Sequence, residues 1–353
     1  MTIATIGSLG QRGEGVAEID GSRVYVPFTL PGETAEITVE GERGTLRSLL
    51  TQSPHRIAPF CPHFGLCGGC QLQHLDPESY TQFKRGLIET ALSHVGVAAA
   101  IAPLIDAKGT GRRRITLHAR KSGAGFVAFH THDLHDIDTC PITVPALAAA
   151  PGVARAVYAA IGDCDVALTS TLTGIDVNIK PERKARPERL TTLIGRFGLA
   201  RLSLDGETIL QARIPVLRMG KAMAEIPPGS FLQATAAAEE TLAGLVVVAL
   251  AGAQNIADLF CGIGPFALRL AEQARIYAAD SDKAGIAALI KAHNNTRGLK
   301  TIAAERRDLF REPLTAIELA RFDGLVFDPP RAGAEAQARE IAKSKVKTVV
   351  AVS

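Results

Sequence analysis

The stretch Ile256-Ala-Asp-Leu-Phe-Cys-Gly-Ile-Gly-Pro-Phe266 decides the fold, because an apolar run of strand character breaks there into a glycine turn that opens a helix. Gly262 and Gly264 permit a sharp bend and a close approach of backbone to ligand. Ala267-Leu-Arg-Leu-Ala271 resumes with helical spacing and would aim its amino terminus at the turn. A strand-to-helix turn also needs glycine for purely steric reasons, so the turn alone is a weak signal. The acidic residues that follow sharpen it.

Arg275-Ile-Tyr-Ala-Ala279 predicts a second strand ending at Asp280, about 20 residues past the turn, where a carboxylate can take ribose hydroxyls. A third strand fits Lys300 to Ala304 and precedes Asp308. A fourth, Gly324-Leu-Val-Phe327, runs into Asp328-Pro-Pro-Arg-Ala-Gly333. The carboxyl ends of an open parallel sheet share one rim, so Gly262, Asp280, Asp308 and Asp328 are expected to converge. Any one of these aspartates alone reads equally as a helix cap or a turn residue. Three at strand ends, together with the glycine turn, make the argument.

With 353 residues, 46% of them hydrophobic, the chain can build two or three domains with real cores. A net charge of +3 permits an anionic partner without demanding one. Met1 to Ile6 lacks a basic segment followed by an apolar core, and the longest apolar run, Leu245 to Ala251, is too short for a bilayer, so a cytoplasmic protein is expected. Residues 1–55 alternate apolar and polar positions between glycine turns, as in Val24-Tyr-Val26 and Ala35-Glu-Ile-Thr-Val39, and predict a small antiparallel barrel. Residues 56–225 read as a mixed α+β region that opens with a helix from Pro77 to His94. A cofactor-binding domain fills 226–353, with a flanking helix from Ala236 to Leu250.

After a proline-bounded linker come Cys61-Pro-His-Phe-Gly-Leu-Cys67-Gly-Gly-Cys70, and Cys140 offers a fourth thiolate. A disulfide is disfavoured in a cytosolic chain, so metal is the natural reading. Zinc and an iron–sulfur cluster both accept four thiolates, and spacing does not choose between them.

The Cys61, Cys67, Cys70 and Cys140 pattern, Phe231-Leu-Gln233, Asp258-Leu-Phe-Cys-Gly-Ile-Gly264 and Asp328-Pro-Pro-Arg331 together resemble the S-adenosylmethionine-dependent RNA uracil-C5 methyltransferases, most closely the bacterial 23S rRNA branch that carries an iron–sulfur cluster. The resemblance runs in order along nearly the whole chain. It implies a Rossmann-like class I methyltransferase domain, C-terminally incomplete, a TRAM/OB-like N-terminal barrel, and a central iron–sulfur domain whose four cysteines hold a 4Fe-4S cluster. It further implies an RNA partner, with 23S rRNA ahead of tRNA; the sequence itself suggests no membrane and no obligate protein partner. S-adenosylmethionine would be bound by Gln233, Phe260, Gly262, Asp280, Asp308 and Asp328, and Asp328 would also face the uracil. Pro265 stands where relatives often carry a polar residue, a departure from the family pattern at one cofactor hydrogen bond. Given an RNA partner, Arg112, Arg113 and Arg114 are expected to contact phosphate.

In the family a cysteine thiolate adds to uracil C6, and that cysteine opens a Ser-Cys-Asn-Pro motif after the fifth strand. Here Val346 to Ser353 matches the strand and the serine, so the chain is expected to be a fragment ending just before its nucleophile. Cys261 and Cys164 read as packing residues. The rival classes are a catalytically inactive RNA-binding iron–sulfur protein and a nicotinamide oxidoreductase. The latter would want a third glycine where the chain has Phe266-Ala267.

Overall fold

The structure is a computed structural model that describes residues 1–107, 110–129, 131 and 133–352. It divides into two compact units, the first made of residues 1–106 and 122–141, the second of residues 107–121 and 142–353.

The first unit opens with five strands, β1 (Thr2–Leu9), β2 (Gly15–Ile19), β3 (Ser22–Val26), β4 (Thr34–Glu40) and β5 (Arg43–Thr51), which close a barrel in the order β1-β2-β3-β5-β4. Alternation drives this: Val24 and Val26, and Ala35 and Ile37, point inward onto Ile6 and Ala17. Helix α1 (Pro77–His94) starts where Asp76 accepts from the main-chain N–H groups of Glu78 and Ser79 and Pro77 occupies the first turn. The chain then gives β6 (Arg114–Arg120) to the second unit and returns as a hairpin, β7 (Gly123–Val127) and β8 (Leu134–Asp136).

The second unit continues with α2 (Ala150–Ile161), β9 (Cys164–Thr171), β10 (Gly174–Pro181), α3 (Thr191–Arg196), β11 (Arg201–Leu204) and β12 (Glu207–Gln211). Strands pair here in the order β12-β11-β10-β9-β6, and α2 packs on β6 and β9. A short hairpin, β13 (Val216–Met219) and β14 (Ala222–Glu225), leads to α4 (Ala236–Ala249).

The remaining elements are β15 (Asn255–Leu259), α5 (Ala267–Leu270), β16 (Arg275–Asp280), α6 (Lys283–Asn294), β17 (Ile302–Arg306), α7 (Ala316–Leu319), β18 (Gly324–Phe327), α8 (Glu335–Lys343) and β19 (Thr348–Ala351). Their five strands form an all-parallel sheet in the order β17-β16-β15-β18-β19. All the expected strands form, with β17 shifted two residues toward the carboxyl end and β19 shorter than expected. Ser353 lies outside the described residues. Helix α5 is a single turn, too short to act as the dipole-bearing helix expected from the sequence.

Both faces of the sheet are covered, as parallel sheets require. Ile256 and Val326 face a core built with α4, α5, α6 and the β13–β14 hairpin, while Ala257, Leu259, Leu325 and Phe327 face a second core with Leu309, Leu314, Leu319 and Phe322. Among the described residues no helix is long and apolar enough to cross a membrane. Leu325→Ala should lower the stability seen in urea denaturation by about 2–5 kcal/mol. Ile317→Ala, on an exposed side chain, should stay within about 0.5 kcal/mol of the wild type.

Candidate cofactor seat

Strand β15 pairs with β16 on one side and β18 on the other, so the strand order turns at β15 and opens a crevice beyond its carboxyl end. Asp258 lies near the end of β15, Asp280 ends β16, and Asp328 follows β18. The turn after β15 is pulled across β16, because the main-chain N–H groups of Phe260 and Cys261 both donate to the Ala279 carbonyl, at 2.9 and 3.2 Å. Phe260 adopts a left-handed φ of 64°, a costly conformation for an aromatic residue. Its ring packs edge-on against Phe310 and Phe327.

The two glycines serve different ends. Gly264 has φ 84°, and a Cβ there would collide with Leu289, so packing against α6 requires it. At Gly262, with φ 52°, a Cβ would meet no protein atom within 4 Å. The space beside Gly262 is therefore open to a ligand. Its N–H donates to Asp280 at 2.8 Å, and the other Asp280 oxygen accepts from the Asp282 N–H at 2.8 Å. These bonds fix the carboxylate while leaving acceptor capacity on both oxygens.

Asp258 is the residue that sequence reasoning passed over as a site. It is fully buried, and neither carboxylate oxygen has a hydrogen-bond partner. Burial pushes its pKa up to about 8; the nearby Ala267 N–H opposes the rise without closing a hydrogen bond, and the Asp328 and Asp280 carboxylates add to it. Asp328 is itself raised to about 6 by burial. The seat thus holds one carboxyl that stays protonated at neutral pH and one that titrates just below it. Such a pair can donate, accept and hold a proton.

The remaining expected residues are less concentrated. Asp308 accepts from the N–H groups of Phe310 and Arg311 in its own turn, two residues past β17. Gln233 sits in the loop before α4, where its main-chain carbonyl accepts from Arg113, while Phe231 is exposed. Arg113 is 7% exposed and bonded to Glu239, so a phosphate role for this arginine is withdrawn: its charge is already neutralised inside the second unit. Cys261 is buried with its thiol pushed well above the usual range by burial and by Asp258 and Asp280, and Cys164 is buried with its thiol raised to about 11. Neither is a ready thiolate.

In the first unit Cys61, Cys67 and Cys70 are half-buried free thiols, and Cys140 is half-buried as well. Burial raises the Cys67 thiol, the Gly69 N–H lowers it, and Cys70 and Cys61 lie close enough to raise it further. Among the described residues no group of three or more His, Cys, Asp or Glu side chains is arranged to hold a metal ion. The expected convergence of all four cysteines on one centre is thus not seen, although the donor chemistry is present.

No protein-family model matches the chain. Over 99% of its length it is 45% identical to an uncharacterized RNA methyltransferase of Brucella suis, of which it covers 87%. It is 30% identical, again over 99% of its length, to the 23S rRNA (uracil(1939)-C(5))-methyltransferase RlmD of Halomonas elongata, covering 80% of that protein. The chain belongs to the RNA uracil methyltransferase family. The solved structure of the Pyrococcus abyssi tRNA (uracil-54, C5)-methyltransferase, in complex with S-adenosyl-L-homocysteine, superposes with a TM-score of 0.76 over 99% of this chain and 89% of that one, at 21% identity. That likeness establishes the class I methyltransferase fold for this family member.

The seat makes stability depend on pH in a fixed direction. Both carboxyls are raised above their ordinary value of 3.8, so their protonated forms favour the folded state. This contribution is complete below pH 3.8 and is lost as pH rises, through about 6 for Asp328 and about 8 for Asp258. Asp258→Asn should therefore flatten the decline in unfolding free energy between those limits and be more stable than the wild type at the alkaline end. An unchanged pH profile in chemical denaturation would remove Asp258 as its source.

Proposed function

We propose that the protein transfers a methyl group from S-adenosylmethionine to C5 of a uridine in RNA. The observation that carries this reading is the open space at Gly262, whose N–H holds Asp280, at the turn in strand order, with the buried Asp258 electrostatically coupled to Asp280 and Asp328, in a chain of this family. When bound, S-adenosylmethionine supplies an electrophilic methyl group. Asp280, held by the Gly262 and Asp282 amides, takes the ribose hydroxyls in this reading, and Asp308, two residues past the adjoining strand, takes the adenine end. Phe260 stands in the turn, Gln233 in the loop before α4 would offer its side-chain amide to the cofactor, and Asp328 is suited to the imide edge of the base.

Uracil C5 becomes nucleophilic only after a thiolate adds to C6, and the adduct is released when the C5 proton is removed and the thiolate leaves. The buried, raised thiols of Cys164 and Cys261 are not offered for that role. A target uridine must leave any stack to reach the seat, so unpaired positions are favoured. We favour 23S rRNA over tRNA because the relative named for 23S rRNA is the more similar in sequence. The same reading divides the chain into a barrel over 1–55, a central part over 56–225 and the cofactor domain over 226–353. It gives Cys61, Cys67, Cys70 and Cys140 a 4Fe-4S cluster, on the strength of the donor set alone.

Calorimetry should show S-adenosylhomocysteine binding to the wild type and at least roughly tenfold weaker binding to Asp280→Ala, the loss expected for a charge-assisted hydrogen bond. Equal affinities would overturn the ribose role. Anaerobic reconstitution with iron and sulfide should yield a visible absorption band in the wild type that Cys67→Ser lacks. A colourless wild type would count against the cluster.

A further inference from the structure

Behind the carboxylate rim lies a buried ion chain. The Nε of Arg113 donates to the main-chain carbonyl of Gln233 at 3.2 Å, and its main-chain N–H donates to the carbonyl of Ala234 at 2.9 Å. One guanidinium nitrogen of Arg113 donates to Glu239 at 2.5 Å. The other Glu239 oxygen accepts from Arg269 at 3.4 Å, and Arg269 also donates to the Pro265 carbonyl at 2.8 Å and to Glu240 at 2.5 Å. Arg113, Glu239 and Arg269 are 7, 3 and 8% exposed. A single carboxylate therefore stands between two arginines, one gripping the Gln233 segment and the other gripping the glycine turn.

The Gln233 segment is anchored by main-chain pairing beside it, the Arg113 N–H on the Ala234 carbonyl and an isolated antiparallel bridge between Arg112 and Thr235. Residues 231–233 themselves have no regular structure and Pro265 lies in a turn, so the link between the two segments runs through the ion chain. Buried ion groups contribute little net stability compared with apolar packing of the same volume, but their directional bonds define geometry. Guanidinium groups suit this because their donors are rigidly splayed.

We infer that Glu239 is a positioning residue, setting through Arg113 and Arg269 where the Gln233 side chain stands relative to the glycine turn, and so how tightly the cofactor is held. The inference rests on the proposed reading of Gln233 as a cofactor-binding residue. The test is a double-mutant cycle on S-adenosylhomocysteine affinity, measured by calorimetry on the wild type, Gln233→Ala, Glu239→Gln and the double variant, each first shown to be folded by thermal unfolding. Each single change should weaken binding roughly tenfold, and the double variant should bind no more weakly than either single one, because positioning a missing side chain has no value. A merely structural Glu239 would give multiplicative losses, roughly a hundredfold in the double variant, and that result, or full affinity in Glu239→Gln, overturns the inference. If Glu239→Gln does not fold, Arg113→Lys replaces it: lysine keeps the charge but cannot reach Glu239 and the Gln233 carbonyl together, and the same non-additive pattern is expected. Absence of binding by the folded wild type would defeat the cofactor reading, and this inference with it.

Discussion

Parallel pairing of β15 with both β16 and β18 is the constraint on which the rest of the second unit depends. A parallel ladder cannot be closed by a tight turn, so every strand is followed by a crossover that covers a face of the sheet. The two cores on either side of Ile256 and Ala257 are the consequence. Because all five strands run the same way, their carboxyl ends meet at one rim, and the reversal of order at β15 leaves a crevice there. Asp258, Asp280 and Asp328 share an electrostatic environment for this topological reason and not through any sequence proximity.

The rim is held at a cost. Phe260 is in a left-handed conformation, and Asp258 is buried without a hydrogen bond beside two further carboxylates. Strain and unpaired buried polar groups of this kind persist where the surrounding structure over-determines them, and they gather at sites of function. The Gly262 and Asp282 amides carry Asp280, while the ion chain from Arg113 to Arg269 carries the loop and the turn around it. Regular hydrogen bonding supports the strands, and irregular main-chain and side-chain bonds support what lies beyond their ends.

In the first unit the barrel follows from alternation and turn glycines alone, whereas the cysteine loop is governed by irregular local bonds such as that from the Gly68 N–H to the Val127 carbonyl at 3.1 Å. Burial first, and then the nearness of Cys70 and Cys61, raises the Cys67 thiol there, so crowding the sulfurs without a cation disfavours its thiolate. A bound cation would reverse that balance, since metal binding requires the thiolates.

Much of this was legible in the sequence, because the signals are local. Apolar runs marked β15, β16 and β18, the expected helix start at Pro77 is the observed one, and acids placed at strand ends marked the rim. Membership of an α/β parallel sheet followed, since such strands pair in only a few ways. Tertiary structure alone decided the rest. The run Arg112 to Arg114 looks solvent-facing in sequence, yet Arg113 turns inward because its counter-charge, Glu239, lies 126 residues away. Asp258 looks like one more motif residue, and only its enclosure, which removes every hydrogen-bond partner, makes it a protonated carboxyl at neutral pH. Spacing identifies which cysteines are candidates for a common centre, but whether they meet depends on how irregular loops settle against a hairpin, and no periodicity encodes that.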